Sequence, residues 1–169
     1  LDAEAGVRRV KAAGLTCRYS MMKAYILTPK ELAKEAQMLE KAGLDEITIM
    51  DSAGTMYPHQ VTEYVSEMVK AVKIPVGFHG HNNLSLSMAN ALAAEAAGAS
   101  VLDCGLLGMA RSAGNLSTEV AVAVFQREGK LQDLDMYSLL HYLDRELIPG
   151  MAAYDYHPAI KPVDLVYGF

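Results

Sequence analysis

A repeated alternation of strand-like and helix-like segments constrains the fold of this chain more than any other feature. The strand-like segments are mostly apolar and recur at intervals of roughly 30 residues, the length of a βα unit. Ala-Gly junctions at 13–14, 42–43 and 97–98 close three of the helix-like segments. A unit of strand, loop and helix that occurs four times predicts a parallel α/β sheet, either doubly wound or closed into a barrel.

Local signals place several helix boundaries. Residues 28–31 read Thr-Pro-Lys-Glu, a capping box with proline at the first helical position. Pro58 opens the next helix, and Asp135 caps the last one, which we expect to stop at Pro149. The first helix stops at Gly14 but has no clear start. We predict helices over 3–13, 29–43, 58–72 and 85–97, a further helix ending near residue 129, and strands within 15–27, 45–51, 76–81 and 101–107, the first of them buried.

Length, charge and cysteine content limit the class of protein. The 169 residues are 51% hydrophobic and carry a net charge of −5, which predicts one globular unit that binds no nucleic acid. No apolar run approaches the roughly 20 residues of a membrane span and no signal-peptide pattern opens the chain, so we expect a cytoplasmic protein with no membrane contact. Cys17 and Cys104 lie in apolar stretches, which predicts reduced, buried thiols.

The His-Gly-His sequence at the end of the third predicted strand carries the strongest chemical signal. Side chains alternate faces in an extended chain, so His79 and His81 point the same way, and Gly80 leaves that face open. On a helix the two rings would diverge, whereas the surrounding Val, Phe and Pro residues favour a strand. Two interpretations stay open here: a metal-binding pair, or two polar residues satisfied by neighbouring carbonyl groups.

Five other polar residues near the strand ends are candidates, each with an ordinary alternative. Asn115 belongs either to a site or to the N-terminal cap of the helix that follows it. Asp51 and Asp103 are either ligands or buried acids bonded to loop amides. Ser52 is a turn residue unless a ligand binds above it, and Arg111 is either an anion anchor or an ordinary exposed loop arginine.

The position of the polar residues favours a barrel over a doubly wound sheet. Ser52, His79, His81 and Asn115 all follow predicted strands, and a TIM barrel keeps its active site at that end of the strands. A full barrel needs eight units and typically about 250 residues. We therefore predict an α/β fold of the TIM (β/α)8-barrel type, in which this chain supplies about four βα units, a half-barrel, followed by a C-terminal helix.

Several motifs resemble a known superfamily of metal-dependent lyase and synthase barrels. That superfamily includes hydroxymethylglutaryl-CoA lyase, isopropylmalate synthase and 4-hydroxy-2-oxovalerate aldolase. The matching motifs are Phe-His-Gly-His-Asn-Asn-Leu-Ser-Leu-Ser-Met-Ala-Asn at 78–90, Val-Leu-Asp-Cys at 101–104, Gly108, Gly-Asn at 114–115 and Thr-Glu at 118–119. Ser-Met-Met at 20–22, Thr-Pro at 28–29 and Met-Asp-Ser-Ala-Gly at 50–54 are most similar to the aldolase branch. The resemblance extends to about Pro149.

The resemblance implies a TIM barrel of which this chain spans roughly the fifth to eighth strands. It implies that His79, His81 and Asn115 bind a divalent metal ion, most simply Mn²⁺, with Mg²⁺, Co²⁺ and Zn²⁺ as alternatives. It assigns substrate contacts to Ser52 and His79, and it places an active-site tyrosine at Tyr167. Residues 1–150 then form the C-terminal half of an aldolase-type barrel, and residues 151–169 begin a possible extension.

The reaction implied by the resemblance is the cleavage of a 4-hydroxy-2-oxo acid to pyruvate and an aldehyde through a metal-bound enolate, as in aromatic hydrocarbon catabolism. Two alternatives stay open. One is a Claisen-type acyl-CoA lyase or synthase, resembling isopropylmalate synthase or hydroxymethylglutaryl-CoA lyase, and the other is a catalytically inactive, self-associating half-barrel. The implied partners are a small 2-oxo acid, further copies of the chain and, for the full-length protein, an acylating aldehyde dehydrogenase.

One family feature has no counterpart in this sequence. The family carries an Arg-Asp pair after the first barrel strand, where the Asp binds metal and the Arg stabilises the enolate, and no Arg-Asp dipeptide occurs here. The chain also begins without Met. We therefore expect it to be part of a longer protein whose N-terminal half-barrel supplies these residues, so that this chain alone would be inactive.

Overall fold

The computed structural model describes residues 2–155, and these form a single parallel sheet with helices packed against it. The strands are β1 (Arg18–Met21), β2 (Glu46–Asp51), β3 (Val76–Gly80) and β4 (Val101–Asp103). The helices are α1 (Ala3–Ala12), α2 (Pro29–Lys41), α3 (Pro58–Ala71), α4 (Ser87–Ala96), α5 (Thr118–Arg127), α6 (Met136–Tyr142) and α7 (Ile148–Ala153). The alternation of strand and helix confirms the predicted succession of βα units.

All neighbouring strands are parallel and lie in the order of the chain, β1-β2-β3-β4. This order, with a helix after each strand, is the arrangement of a barrel segment, because a doubly wound sheet reverses direction at a switch point. Parallel strands also end at the same edge, so the loops after β2, β3 and β4 meet there. The register pairs Met50 with His79 and His79 with Asp103, so the end of β3 lies between the ends of its two neighbours.

The core lies between the sheet and the helices. Ile47 and Ile49 of β2 and Phe78 of β3 are at most 2% exposed and pack with Val61 and Met68 of α3. Burial of each such side chain contributes about 1.5–3 kcal/mol. Because side chains alternate along a strand, this packing turns the residues between them, including His79, to the opposite face of the sheet.

Local capping explains where the first helices begin. The side chain of Thr28 accepts a hydrogen bond from the backbone N–H of Glu31, and the Glu31 carboxylate accepts one from the Thr28 N–H, which confirms the predicted capping box. Asp2 caps α1 by accepting a bond of 3.1 Å from the Ala5 N–H. The first helix therefore has its own start, which the sequence pattern did not reveal.

Two predictions about burial are wrong. β1 is the outer strand of the described sheet, with β2 as its neighbour on one side, and Arg18, Tyr19 and Ser20 are exposed although this strand was expected to be buried. Cys17 is buried as predicted, but Cys104 is exposed. β4 ends one residue before Cys104, which leaves the thiol in a loop, where it accepts a bond of 3.2 Å from the Thr118 hydroxyl.

The last helical stretch continues beyond the point where it was expected to stop. A wider π turn, Leu143–Leu147, links α6 to α7, and α7 continues to Ala153. Pro149 lies in the first turn of α7, where its missing N–H costs little. Asp135 caps α6 as predicted, through a bond of 3.0 Å from the Tyr137 N–H.

Within residues 2–155, none of the helices combines the length and the apolar character needed to cross a membrane.

Candidate metal centre

Strand β3 positions the two histidines next to each other. Gly77 and His79 face away from the helices, and the chain continues in extended form to His81, which forms a single bridge with Asn115. The two imidazole rings lie with their centroids 5.3 Å apart and their planes at 64°. The predicted geometry of the pair is confirmed, whereas its binding of a metal ion stays a prediction.

Asp103 lies directly beside His79. The two residues are paired in register across β3 and β4, and Nδ1 of His79 lies 3.3 Å from Oδ2 of Asp103. The His79 side chain is 16% exposed and that of Asp103 is 43% exposed, so this contact contributes little to stability by itself. A carboxylate in this position instead orients the ring and leaves Nε2 available, as is common behind metal-binding histidines.

His81 is more deeply buried and lacks a partner at one nitrogen. Its backbone N–H donates to the carbonyl of Asp51 at 3.3 Å, and the residue is 7% exposed. Nδ1 is buried and accepts or donates no hydrogen bond within the described part of the chain. Burial, the nearby charge of Arg111 and then His79 lower the pKa of His81 to about 4. The ring is therefore neutral at pH 7, the form that binds metal ions.

Asn115 lies beside His81 and does not cap the next helix, so that alternative is wrong. α5 begins at Thr118 with Ser117 at the capping position. The Asn115 backbone N–H donates to the carbonyl of Gly108 at 3.0 Å, and its side-chain Oδ1 is buried without a hydrogen-bond partner among residues 2–155. Two buried polar atoms therefore lack partners on the bridged pair His81 and Asn115.

These donors fit part of a metal site. Two imidazoles and an amide oxygen are acceptable ligands for Mn²⁺, Co²⁺ or Zn²⁺. Within residues 2–155, however, no group of three or more His, Cys, Asp or Glu side chains is placed to hold an ion. The described residues thus supply an incomplete ligand set, and further ligands would have to come from elsewhere.

The loop after β2 brings Ser52 to the same edge of the sheet. Ser52 is 3% exposed, and its hydroxyl accepts a bond of 2.9 Å from the backbone N–H of Lys23. Its carbonyl accepts a bond from the Arg111 guanidinium. The hydroxyl oxygen, which the resemblance assigned to substrate, is thus already engaged with the loop after β1.

Asp51 is a buried acid bonded to loop amides, which confirms one of the two interpretations given for it. The residue is fully buried, and its carboxylate accepts bonds from the backbone N–H groups of Thr55 and Met56 at 3.3 and 3.0 Å. Burial raises the pKa of the Asp51 carboxyl group, and the bonds from the loop amides oppose that rise. The carboxylate thereby fixes the turn that carries Ser52.

Asn83 is a site-building residue that the sequence analysis missed. It is 1% exposed, its Nδ2 donates to the Ala53 carbonyl at 2.8 Å, and its Oδ1 accepts from the Ala113 N–H at 3.0 Å. The side chain thus ties the loop of Ser52 to the loop of Asn115. Its position directly after the His-x-His-Asn motif was the available signal.

Gly54 permits the close approach of these loops. It has φ +64°, and a Cβ at this position would lie 2.8 Å from the backbone N of Asn83 and from the carbonyl O of His81. The structure therefore brings His79, His81, Asn115 and Ser52 together at one edge, as predicted. Tyr167 lies outside the described residues.

The sequence matches the HMGL-like family over residues 1–145. Among curated relatives, the 4-hydroxy-2-oxovalerate aldolase of Geobacillus genomosp. 3 is 42% identical over 130 residues, which are 77% of this chain and 39% of that protein. The 4-hydroxy-2-oxovalerate aldolase of Moorella thermoacetica is 39% identical over 153 residues, 89% of this chain and 45% of that protein. The chain thus spans less than half the length of these relatives.

Solved structures show the same fold. The HMG-CoA lyase of Bacillus subtilis superposes with a TM-score of 0.74 at 19% identity, over 96% of this chain and 57% of that one. The HMG-CoA lyase of Brucella melitensis gives 0.71 at 21% identity, over 80% of this chain and 53% of that one. These neighbours confirm a TIM-barrel type of fold of which this chain supplies about half, and the match over residues 1–145 makes the chain a member of the HMGL-like family.

Proposed function

We propose that this chain is part of a divalent-metal-dependent aldolase that cleaves a 4-hydroxy-2-oxo acid to pyruvate and an aldehyde. The observation that carries the proposal is the paired arrangement of His79 and His81, with Asp103 behind one ring and the unpartnered Oδ1 of Asn115 beside the other. The names of the relatives support the choice of reaction, since those proteins are 4-hydroxy-2-oxovalerate aldolases.

His79, His81 and Asn115 would hold the ion, most simply Mn²⁺, with Mg²⁺, Co²⁺ or Zn²⁺ as alternatives. Such an ion supplies positive charge that polarises a keto group and stabilises negative charge on its oxygen. Asp103 keeps the His79 ring in place, and the low pKa of His81 keeps that ring unprotonated above about pH 4. Both effects act before substrate arrives, so the site is preorganised.

The bond changes in the cleavage balance without a further reagent. The 4-hydroxyl group loses its proton and becomes the aldehyde carbonyl, the C3–C4 bond breaks, and its electron pair passes to the enolate of pyruvate. Protonation of C3 then gives pyruvate. The described residues bind and orient the 2-oxo acid, and the loop of Ser52 forms one wall of the site. The base that takes the hydroxyl proton is assigned to another part of the protein.

Metal uptake by the 169-residue chain tests the site directly. We expect the purified chain to bind a divalent ion, and His79→Ala and His81→Ala to weaken that binding by tenfold or more, because each removes one of few protein ligands. His141→Ala is the matched control, since His141 is exposed on α6, away from the site. A chain that takes up no ion, or one in which His141→Ala has the same effect as His79→Ala, would refute the assignment.

Product analysis then separates the reaction classes. If the chain is inactive alone, it is first combined with the remaining half of the barrel. It is then given pyruvate with an aldehyde in one assay and acetyl-CoA with a 2-oxo acid in another. We expect turnover of the first pair. Turnover of the acyl-CoA pair alone would favour the Claisen-type enzyme instead.

We propose a cytoplasmic protein that assembles with further copies of itself, and an acylating aldehyde dehydrogenase as partner of the full-length protein. The partly exposed β1 edge supports self-association, because an open strand edge invites pairing with another strand. Mass measurement in solution tests this part, and a well-behaved monomer at working concentration would contradict it.

A further inference from the structure

We propose that Arg111 binds the carboxylate of the 2-oxo acid and thereby selects anionic substrates over neutral ones. The inference rests on the proposed function for the identity of the acid, but its geometry is independent of that function. Arg111 lies in the loop between β4 and α5, which also carries Asn115.

The loop of Arg111 is fastened to the histidine strand by backbone hydrogen bonds. The Gly114 N–H donates to the carbonyl of Arg111 at 3.0 Å, and the carbonyl of Gly114 accepts from the Asn82 N–H at 2.8 Å. Gly114 has φ +85°, and a Cβ there would lie 2.2 Å from the carbonyl O of Gly108, so only glycine fits this turn. The loop is therefore held in one position relative to His81.

The side chain of Arg111 reaches across to the end of β2. One guanidinium N–H donates to the carbonyl of Ser52, the residue after Asp51, and the carbonyl of Asp51 accepts from the His81 N–H. The positive charge thus lies at the carboxyl edge of the sheet, beside the histidine pair. Its effect reaches two side chains: burial lowers the pKa of His81 and Arg111 adds to that lowering, whereas burial raises the pKa of Tyr25 and Arg111 opposes that rise.

The charge of Arg111 is not neutralised by the part of the chain that the structure describes. Within residues 2–155, no Asp or Glu carboxylate forms an ion pair with it. A guanidinium has five N–H donors, and the bond to Ser52 uses one N–H of Nη2. The other N–H of Nη2, together with an N–H of Nη1 or Nε, still forms the planar fork that matches a carboxylate. A carboxylate bound to Arg111 retains lone pairs that can accept further bonds on the side of the site that faces His79 and His81.

The competing explanation is that Arg111 only braces the loop through its bond to Ser52. A brace needs one donor, which the side-chain amide of Gln or the ammonium group of Lys can also supply. Carboxylate binding needs both charge and the two-pronged geometry, so Lys replaces Arg only in part and Gln does not replace it. Substitutions at this position therefore separate the two roles.

The experiment is a titration of the 169-residue chain with pyruvate and with its neutral analogue pyruvamide, with and without Mn²⁺, followed by NMR or calorimetry. We expect the wild-type chain to prefer pyruvate, Arg111→Gln to weaken pyruvate binding tenfold or more, and Arg111→Lys to fall between them. Pyruvamide binding and Mn²⁺ affinity should stay unchanged. Arg127→Gln is the matched control, because it removes the same charge from an exposed position at the end of α5.

Three results would overturn the proposal. The first is a wild-type chain that does not bind pyruvate or does not distinguish it from pyruvamide. The second is an Arg111→Gln chain that binds pyruvate as tightly as wild type. The third is an equal loss of affinity for pyruvate and pyruvamide in Arg111→Gln, which indicates that Arg111 only braces the loop. Arg111-dependent pyruvate binding, together with no aldol cleavage when the chain is combined with the remaining half of the barrel, would support this proposal while refuting the proposed function. Cleavage with unchanged binding in Arg111→Gln would do the reverse.

Discussion

Asn83 is the residue whose removal should damage the site most without touching a candidate ligand. Its side chain is buried and makes two hydrogen bonds, to the Ala53 carbonyl and from the Ala113 N–H. Asn83→Ala removes both bonds and leaves both backbone groups without a hydrogen-bond partner among residues 2–155. Since Ala53 follows Ser52 and Ala113 precedes Asn115 by two residues, the substitution frees the two loops from each other.

The magnitude follows from the two bonds. Each contributes about 1 kcal/mol net, and each buried group left unpaired costs about 1–3 kcal/mol, partly offset where water enters the space. We expect Asn83→Ala to lower the free energy of unfolding by about 2–4 kcal/mol. Asn82→Ala is the neighbouring control: Asn82 accepts one bond of 3.2 Å from the Ser87 N–H at the start of α4, and the loss of such a capping bond costs about 1 kcal/mol.

Urea unfolding followed by circular dichroism measures both variants, and equal slopes show that the same surface is exposed in each. Divalent-ion affinity, measured on the same samples under native conditions, should fall for Asn83→Ala because His81 and Asn115 lose their fixed spacing. An Asn83→Ala chain within about 0.5 kcal/mol of wild type, the range of ordinary surface substitutions, would refute the bridging role. A larger loss for Asn82→Ala than for Asn83→Ala would refute it as well.

Three further predictions concern the glycine, the acid behind His79 and the first helix. Gly54→Ala should destabilise the chain and weaken metal binding, because its Cβ would lie 2.8 Å from backbone atoms of His81 and Asn83. Gly6→Ala is the control in urea titrations: Gly6 has open space around it in α1, so this substitution should be neutral or stabilising by up to about 1 kcal/mol. Asp103→Asn should lower divalent-ion affinity about 10–100-fold with little effect on unfolding, and an unchanged ion titration would show that the carboxylate does not orient His79. Asp45 accepts bonds from the Cys17 N–H and from Lys11, which lower its pKa from 3.8, so its stabilising effect is complete above that pH and is lost as the pH falls through the lowered value. The urea midpoint of Asp45→Asn should therefore lie below that of wild type at pH 7, with a difference that shrinks under more acid conditions.

Features set by neighbours along the chain were predictable from the sequence. The capping box at Thr28 and Glu31 involves residues three apart, and the alignment of His79 and His81 follows from the two-residue period of a strand. The succession of βα units and the location of the polar residues at one edge likewise follow from pattern and topology.

Features set by distant partners were not predictable in this way. Asn83 has two hydrogen-bond partners, Ala53 and Ala113, which lie 30 residues before and after it in the sequence. No local pattern reveals either one. Asn115 precedes a helix as capping residues do, and only its bridge to His81 shows that it lies beside the histidine pair instead. The exposure of β1 depends on which strands flank it, which is a property of the sheet and not of the segment.

The unpaired atoms of His81 and Asn115 are the strongest physical reason to regard this edge as a ligand site. A buried polar group without a partner costs about 1–3 kcal/mol, and most buried polar groups in folded proteins avoid that cost. Here both lie on a bridged pair of residues, next to a second imidazole held by a carboxylate. A divalent ion is a ligand that both atoms can bind, because a neutral imidazole and an amide oxygen each offer it a lone pair. Binding of the ion would then give both atoms a partner, so metal should raise the free energy of unfolding with the logarithm of its concentration relative to Kd, by about 2.7 kcal/mol at 100 times Kd.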